Sequence, residues 1–469
     1  MKILEHDIKN KIHFVGIGGI GMSGIAEVMH SFGYYVQGSD IVNNQNVKRL
    51  KKKGIKTFLG HSKKNIKNIN ILVISSAIKK NNPEIVHSKK NNIKIYKRSQ
   101  ILSLLMNFKE SIAVSGTHGK TTTTSLISSI LEYANFDPTT IIGGIVNAYK
   151  GTTRIGKSKW IVVEADESDG SLSTLFPKIG VITNINKEHM DFYKSVDKLQ
   201  NYFLKFIKNI SFDGLAVLCN DNSGVKKLIK KITNKNFITY GFFKDSDIQA
   251  SNIFFNKTFS CFDVKIKKNF LFKKEIIKGI KLNMLGRHNI LNCLAAISVA
   301  KILNIKTKKI KNAFKQFQGI QRRFTLVDTI NGVKIYDDYA HHPEEIKSTL
   351  DLVKILKPKH TIVVFQPHRY SRFGFLYNNF KRILKNCDKL IVADVYPAGE
   401  KKVNYLSKEK FVKDINKIKK NLAIPLNKKS DLPKIIKDNT KFGDLVIFLG
   451  AGDISKWAYD LPLQIKRKK

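Results

Sequence analysis

Cysteine is scarce in this sequence. The 469 residues include four cysteines, Cys219, Cys261, Cys293 and Cys387, and no two of them form a Cys-x-x-Cys pair. Closely paired cysteines are typical of zinc ribbons and thioredoxin-like redox sites, so this spacing argues against both classes. We expect four reduced and mostly buried thiols.

Long hydrophobic runs are also missing. The sequence has no stretch of about 18 apolar residues, the length that a membrane-spanning helix needs. Residues 1–11 are polar and lack the apolar core of a signal peptide. These observations predict a cytoplasmic protein that does not associate with a membrane.

Acidic residues are few. The chain has 37 Asp and Glu against 83 Lys and Arg, which gives a formal net charge of +46. Nucleic-acid binding requires basic residues that cluster, often beside aromatic ones. Here they are spread along the whole chain, and lysine, asparagine and isoleucine, which share A/T-rich codons, are abundant throughout. We therefore attribute the charge to composition and expect no nucleic-acid partner.

What the sequence does contain is a recurring unit of an apolar run, a turn and a helical pattern. This alternation is typical of α/β proteins with parallel sheets. The units fall into three groups, which predicts domains at residues 1–109, 110–321 and 322–469. Residues 242–281 alternate apolar and polar side chains, so the middle sheet is predicted to be mixed. Strands are predicted at residues 12–15, 71–74, 112–115, 160–163, 180–183, 361–365, 390–395 and 445–449.

A glycine-rich turn follows the first predicted strand. Residues 16–21 have the spacing Gly-x-Gly-x-x-Gly, which lets a backbone approach a pyrophosphate at the start of a helix. Alone, this motif equally suggests an NAD- or FAD-binding domain. The candidate ligand-binding residues here are Gly18, Gly19, Ile20, Gly21, Asp40 at the end of the next strand, and Ser75 and Ser76 after a later one.

A second motif is typical of a phosphate-binding loop. It lies between a predicted strand and a predicted helix and consists of Gly116, Thr117, His118, Gly119, Lys120, Thr121 and Thr122. Backbone amides of such a loop hold phosphate, the lysine reaches the β- and γ-phosphates, and the hydroxyl after it binds Mg²⁺. This motif predicts ATP as a cofactor.

Acidic residues concentrate at the end of the strand predicted at residues 160–163. Glu164, Asp166, Glu167 and Asp169 lie within six residues, in a chain that has few acids. Carboxylates suit a hard cation such as Mg²⁺. His189 follows the next strand and is a candidate second metal ligand, although a single histidine is more often structural.

Several polar groups lie farther along the chain. Arg322 and Arg323 occur at the predicted boundary before the third domain, where guanidinium groups can meet phosphate charge. Paired histidines suggest a metal, but no third ligand lies at a familiar spacing, so hydrogen-bonding roles are preferred. The remaining candidates are polar groups at the start of a predicted helix and in two later loops, where they can hold an amino acid or a nucleotide. They are His288, Asn289, Asn292, Asp338, His341, His342, His368 and Arg369.

Together, these motifs resemble those of the Mur ligase family, in the same order and over essentially the whole chain. The resemblance rests on residues 16–22, 116–122, 164–169, 188–191, 288–292, 322–323, 341–342 and 365–372. It implies an N-terminal Rossmann-like domain that binds a UDP-sugar, a central P-loop ATPase domain and a C-terminal Rossmann-like domain that binds an amino acid. The first glycine turn would then hold the diphosphate of UDP and not NAD.

The resemblance also implies an activity. This is the ATP-dependent ligation of L-alanine to the lactyl carboxylate of UDP-N-acetylmuramate through an acyl phosphate, an early step of peptidoglycan synthesis. Lys120 would contact the phosphates, Thr121, Glu164 and His189 would hold Mg²⁺, and Arg322 or Arg323 with Asp338 would complete the ATP site. The resemblance also assigns two further sets of residues: His288, Asn289 and Asn292 to ATP, and His341, His342, His368 and Arg369 to a substrate. The alternatives are a sister ligase that adds a peptide or another amino acid and, more distantly, an NAD-dependent oxidoreductase. A monomer or weak homodimer is expected.

The sequence departs from the usual family pattern at a few positions. Glu188 precedes His189 where an aspartate is usual, and Gln100 stands where glutamate is common. These changes leave the resemblance intact and assign no role to Gln100.

Overall fold

The structure, a computed structural model, describes residues 10–75 and 77–466, without the side chain of Asp191. Ser76, a predicted substrate-binding residue, lies outside the described residues. The chain divides into two compact units, the first of which covers residues up to 254, 260–283 and 287–318, while the main part of the second begins at Gly319. The first unit contains two sheets and the second unit contains one.

The first sheet is parallel and has five strands in the order β3-β2-β1-β4-β5. The three inner strands β1, β2 and β4 are largely buried and the edge strands β3 and β5 are partly exposed, as is typical of Rossmann-like folds with helices on both faces. The strands are β1 Lys11–Val15, β2 Tyr35–Asp40, β3 Lys56–Leu59, β4 Ile71–Ile74 and β5 Lys94–Lys97, and the helices are α1 Ile20–Ser31, α2 Gln45–Lys52, α3 Pro83–Lys90 and α4 Arg98–Asn107.

The second sheet has ten strands in the order β15-β14-β13-β12-β11-β10-β6-β9-β7-β8. The strands are β6 Glu110–Ser115, β7 Thr139–Val146, β8 Gly151–Arg154, β9 Trp160–Glu164, β10 Ile179–Ile182, β11 Leu215–Cys219, β12 Phe237–Gly241, β13 Ile248–Phe255, β14 Ser260–Ile266 and β15 Glu275–Leu282. The helices of this region are α5 Lys120–Tyr133, α6 Met190–Tyr193, α7 Val196–Lys208, α8 Ser223–Ile229, α9 Arg287–Ile302 and α10 Thr307–Gln316. The central strands are parallel, whereas β7 pairs with β8 and β14 with β15 in antiparallel fashion.

The third sheet has six strands in the order β16-β17-β21-β18-β19-β20 and is parallel except for the β16–β17 pair. The strands are β16 Thr325–Ile330, β17 Val333–Asp338, β18 Thr361–Phe365, β19 Lys389–Val392, β20 Ala423–Pro425 and β21 Leu445–Leu449. The helices are α11 Pro343–Leu356, α12 Tyr370–Phe375, α13 Tyr377–Leu384, α14 Lys408–Asn416, α15 Leu432–Asn439 and α16 Ile454–Lys466.

The predicted fold class is confirmed: the chain is α/β, with three sheets and a mixed middle sheet. The strand predicted at residues 390–395 ends earlier, at Val392. The apolar residues of the sequence continue to Val395, which suggests a longer strand. Val395 is buried, but it lies in the loop that follows β19. Among the described helices, none is long and apolar enough to cross a membrane.

Candidate active site

The predicted phosphate loop connects β6 to α5. Gly116 and Gly119 have φ of 137° and 79°, a region that favours glycine. A Cβ on Gly116 would lie 2.1 Å from Thr183 Oγ1, and one on Gly119 would lie 2.5 Å from Asn292 Oδ1. Both positions therefore require glycine for conformation and for space.

The loop is braced by the residues that follow β10. The Asn184 carbonyl accepts from the Thr117 amide at 3.1 Å, and its side chain accepts from the His118 amide at 2.8 Å. The Thr183 hydroxyl donates to the His118 carbonyl at 2.6 Å. Because these polar groups of the loop are paired with Thr183 and Asn184, the contacts hold the loop in its turned conformation.

Lys120 begins α5 and its ammonium lies inside the loop. Lys120 Nζ donates to the carbonyls of Gly116 and Thr117 at 2.6 and 3.1 Å and lies 2.7 Å from Glu167 Oε2. Burial opposes this charge, but the attraction of Glu167, Glu164 and Asp166 outweighs it and raises the pKa of the Lys120 ammonium. The lysine is therefore a fixed positive charge at the site.

Glu164 ends β9 beside the start of α5. Its Oε1 accepts from the Thr121 hydroxyl at 3.2 Å, and its Oε2 accepts from the Gly143 amide of β7 at 2.8 Å. A Cβ on Gly143 would lie 2.8 Å from Glu164 Oε1. The structure thus brings together two of the three predicted metal ligands, Thr121 and Glu164.

The third predicted ligand, His189, contacts a different acid. His189 Nε2 lies 3.4 Å from Glu167 Oε1, and the residue has a left-handed φ of 54°. Burial opposes protonation, but the hydrogen bond and charge of Glu167, with Glu188 beyond it, raise the pKa of the His189 imidazole. Glu167, which is buried, joins Lys120 to His189. No specific role was predicted for it, although it belongs to the acidic cluster of the sequence.

Helix α9 supplies the other side of the loop. Asn292 Oδ1 accepts from the Thr123 hydroxyl at 3.1 Å, and its amide donates to Asn289 Oδ1 at 3.2 Å. Both asparagines are buried, as is Thr122, whereas His288 is partly exposed. Asn289 and Asn292 therefore lie next to the phosphate loop, as their predicted ATP-binding role requires.

The glycine-rich turn lies between β1 and α1. Gly16 has a left-handed φ of 80°, and the Gly18 amide donates to Asp40 Oδ2 at 2.8 Å. A Cβ on Gly18 would lie 2.9 Å from that same oxygen. Asp40 thus braces the turn, and its predicted contact with a ribose hydroxyl stays a prediction.

A cavity of about 320 Å³ extends from this turn to Glu164. Its polar lining includes the Arg98 guanidinium, which lies 3.5 Å from Asp166. The lining residues are Gly19, Ile20, Gly21, Met22, Ser75, Arg98, Leu102, Ile141, Ile142, Gly143, Glu164 and Asp166. A ligand in this cavity therefore meets the start of α1 at one end and Glu164 at the other.

The donors around Glu164 suit Mg²⁺. In the described part of the chain, no three His, Cys, Asp or Glu side chains are arranged to hold a metal by themselves. Mg²⁺, however, is usually held by one or two carboxylates together with water and substrate phosphates. The Glu164 carboxylate and the Thr121 hydroxyl, both hard oxygen donors 3.2 Å apart, fit that mode of binding.

In the second unit, Arg322 and Arg323 lie over the ring of Tyr339, at 4.7 and 5.3 Å from its centre. Arg322 donates to the carbonyls of Gly450 and Gly452 at 2.7 and 3.3 Å. Asp338 accepts from the amides of Phe324 and Ala340 at 2.7 and 2.8 Å, and burial, against the effect of Arg323, raises its pKa to about 6.

The predicted substrate-binding histidines lie near the ends of β17 and β18. The ring centres of His341 and His368 are 5.7 Å apart, and His368 stacks on Tyr396. His342 immediately precedes α11 and caps it, because its Nδ1 accepts from the Glu344 amide at 3.3 Å. Arg369, with φ of 67°, immediately precedes α12. The substrate roles of these residues stay predictions.

Three domain models of known protein families match this chain in the order of the predicted domains. The chain matches the models of the Mur ligase family catalytic domain at residues 11–110, the Mur ligase middle domain at 114–300 and the Mur ligase glutamate ligase domain at 322–452. It is 46% identical to UDP-N-acetylmuramate–L-alanine ligase of Rickettsia bellii over 456 residues, which are 96% of this chain and 95% of the relative. The Parvibaculum lavamentivorans enzyme of the same name is 45% identical over 97% of this chain and 93% of its own length.

Solved structures give the same result. The crystal structure of UDP-N-acetylmuramate–alanine ligase from Thermotoga maritima has a TM-score of 0.82 at 29% identity and covers 98% of this chain and 100% of its own. A murein peptide ligase from Psychrobacter arcticus shares the fold, with a TM-score of 0.72 at 22% identity over 97% and 98% of the two chains. The predicted family is confirmed, and the chain belongs to the Mur ligase family.

Proposed function

We propose that this protein joins L-alanine to the lactyl carboxylate of UDP-N-acetylmuramate and converts ATP to ADP and phosphate. The relatives that carry this activity in their names are 42–46% identical over nearly the whole chain. We place the reaction in the cytoplasm, where ATP and UDP-sugars are available, and expect a monomer or weak homodimer.

The observation that supports this function most directly is the cavity that extends from the glycine turn to Glu164. The amides at the start of a helix favour a diphosphate, so the nucleotide end of a UDP-sugar fits at Gly19–Gly21. The sugar acid would then extend toward Glu164, which lies beside Thr121 of the phosphate loop. An oxidoreductase would not need an ATP loop at the far end of its dinucleotide site.

In the first step, a lactyl carboxylate oxygen attacks the γ-phosphorus of ATP. The bond from that phosphorus to the bridging oxygen breaks, and ADP leaves with the electron pair. Both reactants are anions, so the reaction depends on positioning and on positive charge. The Lys120 ammonium supplies charge at the β- and γ-phosphates, and bound Mg²⁺ supplies further charge stabilisation where Thr121, Glu164 and His189 would hold it.

In the second step, the amine of L-alanine attacks the carbonyl of the acyl phosphate. The tetrahedral intermediate collapses with loss of phosphate, and the amine loses a proton. Phosphate is a far better leaving group than the hydroxide that direct condensation would expel. His341, His342, His368 and Arg369 are our candidates for binding L-alanine, and Arg322, Arg323, Asp338, Asn289 and Asn292 for binding ATP.

A phosphate-release assay tests the proposal. The purified protein is incubated with ATP and Mg²⁺, with or without UDP-N-acetylmuramate, and with L-alanine, glycine, L-serine or a tripeptide as acceptor. We expect release that requires the UDP-sugar and is fastest with L-alanine. Release without the UDP-sugar would refute the substrate assignment, and a preference for the tripeptide would favour the sister ligase.

A further inference from the structure

A buried polar cluster lies behind the glycine turn, and the proposed chemistry does not use it. We name it the Glu84 cluster; its members are Glu84, Ser39, His13, His61, Gln37 and Asn65. The side chains of Glu84 and His13 are 0% exposed, and Ser39 is also fully buried. A carboxylate in such a place must be surrounded by donors, since an unpaired buried charge is very unfavourable.

The Glu84 carboxylate accepts hydrogen bonds on both oxygens. Oε2 accepts from the Ser39 hydroxyl at 2.6 Å and lies 3.4 Å from both His13 Nε2 and His61 Nδ1. Oε1 accepts from the Asn65 side-chain amide at 2.8 Å and from the Ser62 backbone amide at 3.2 Å. Glu84 also lies in the first turn of α3, where the helix dipole favours a negative charge.

The neighbouring groups fix where the hydrogens lie. Gln37 Nε2 donates to the Asn65 carbonyl at 2.7 Å and to His13 Nδ1 at 3.1 Å, so His13 carries its proton on Nε2. The Ser39 hydroxyl has one hydrogen, which goes to Glu84, and therefore accepts from His13 and His61, at 3.3 and 2.9 Å. The hydroxyl of Ser39 and the side-chain amide of Asn65 thus each direct a hydrogen toward Glu84, and the two histidines direct theirs toward Ser39. The Asn65 amide also donates to the Gly60 carbonyl at 3.1 Å.

Ser39 connects this cluster to the glycine turn. Its backbone carbonyl accepts from the amides of Gly16 and Ile17 at 2.8 and 3.0 Å. The next residue, Asp40, accepts from the Gly18 amide at 2.8 Å. Two consecutive residues of β2 therefore hold three consecutive amides of the turn, and the side chain of the first of them is anchored by Glu84.

We infer that Glu84 is a positioning residue for the UDP-sugar, which acts through Ser39 on the turn that leads into α1. This inference rests on the proposed function. Glu84 fixes the Ser39 hydroxyl, the Ser39 carbonyl fixes the amides of Gly16 and Ile17, and the turn sets where the first amides of α1 point. The cluster lies beside the first sheet, whereas the phosphate loop follows β6 of the second sheet.

The test is the variant Glu84→Gln, which keeps the size of the side chain but turns an NH₂ group toward hydrogen-bond donors. Binding of UDP-N-acetylmuramate and of a non-hydrolysable ATP analogue is measured separately by calorimetry. We expect the dissociation constant for the UDP-sugar to rise about tenfold or more, the scale on which hydrogen bonds to a buried charge act. The dissociation constant for the ATP analogue stays within about twofold, because the phosphate loop lies on another sheet.

Ser88→Ala is the matched control. Ser88 is buried on the same helix as Glu84, and its hydroxyl has no hydrogen-bond partner among the described residues. This variant is expected to bind both ligands like the wild type. Ser39→Ala is a second test, in case Glu84→Gln fails to fold, and is expected to weaken UDP-sugar binding without changing ATP-analogue binding.

Two results would overturn the inference. One is unchanged UDP-sugar binding in Glu84→Gln, or in Ser39→Ala if the first variant does not fold. The other is an equal loss of affinity for both ligands, which indicates a general loss of structure. Failure of the wild type to bind UDP-N-acetylmuramate contradicts the proposed function instead, so the two failures are distinguishable.

Discussion

In the proposed mechanism, Lys120 is the residue on which the ATP chemistry depends most. Its ammonium is enclosed by two loop carbonyls and by Glu167, so the protein itself sets its position. Glu167 also contacts His189, so one buried acid lies between the proposed phosphate-binding lysine and a candidate metal ligand. Two side chains of the proposed ATP site are thus linked through Glu167.

Replacing Lys120 with alanine should lower kcat for phosphate release by roughly 100- to 1,000-fold, the range for loss of one preorganised stabilising group. UDP-sugar affinity should change little, because the glycine turn is held by Ser39 and Asp40. Lys178→Ala is the control, since Lys178 pairs with Glu110 and Asp213 at the amino-terminal ends of the strands. The phosphate loop lies at the carboxyl-terminal end of β6. Wild-type turnover in Lys120→Ala would refute the role assigned to this lysine.

At the scale of elements, the residues of the candidate site lie at strand ends and in the loops that follow them. The sequence predicted this arrangement because an apolar run followed by glycine or acidic residues can be recognised locally, as at residues 112–122 and 160–169. The sequence could not predict which groups the acidic side chains contact. Glu167 meets Lys120 and Gly143 meets Glu164 because β9 lies between β6 and β7 in the sheet. Glu84 of α3 meets Ser39 of β2 although 45 residues separate them.

His368, which lies in the loop after β18, resists protonation in the folded protein. Burial, followed by the charges of His341, Arg372, Arg369 and Arg322, lowers the pKa of His368 from 6.5 to about 3. Between these two values the unfolded chain binds a proton that the folded chain does not, so the free energy of unfolding falls as the pH falls.

His368→Asn should therefore reduce the loss of thermal stability on going from pH 7 to pH 5. The measurement is the melting temperature of both proteins at several pH values. His87→Asn is the control, because the partly exposed His87 side chain makes no hydrogen bond or ion pair with the other described residues. An equally steep pH dependence in wild type and His368→Asn would show that this histidine does not titrate as described.

At the scale of the whole molecule, the order of motifs determines the function more than any single motif does. A glycine turn alone suggests a dinucleotide, and a phosphate loop alone suggests only a nucleoside triphosphate. In the first unit, both motifs lie near one cavity, and Glu164 lines it next to Thr121 of the loop. That arrangement supports the activation of a carboxylate on the ligand that the glycine turn holds.

In the proposed reaction this carboxylate is activated by direct attack on ATP, and an isotope experiment tests that step. UDP-N-acetylmuramate labelled with oxygen-18 in the lactyl carboxylate is converted with ATP and L-alanine, and the released phosphate is analysed by mass spectrometry. Through an acyl phosphate, each phosphate carries one oxygen atom from the carboxylate. Phosphate that forms together with the alanyl product but lacks the label would rule out an acyl phosphate intermediate.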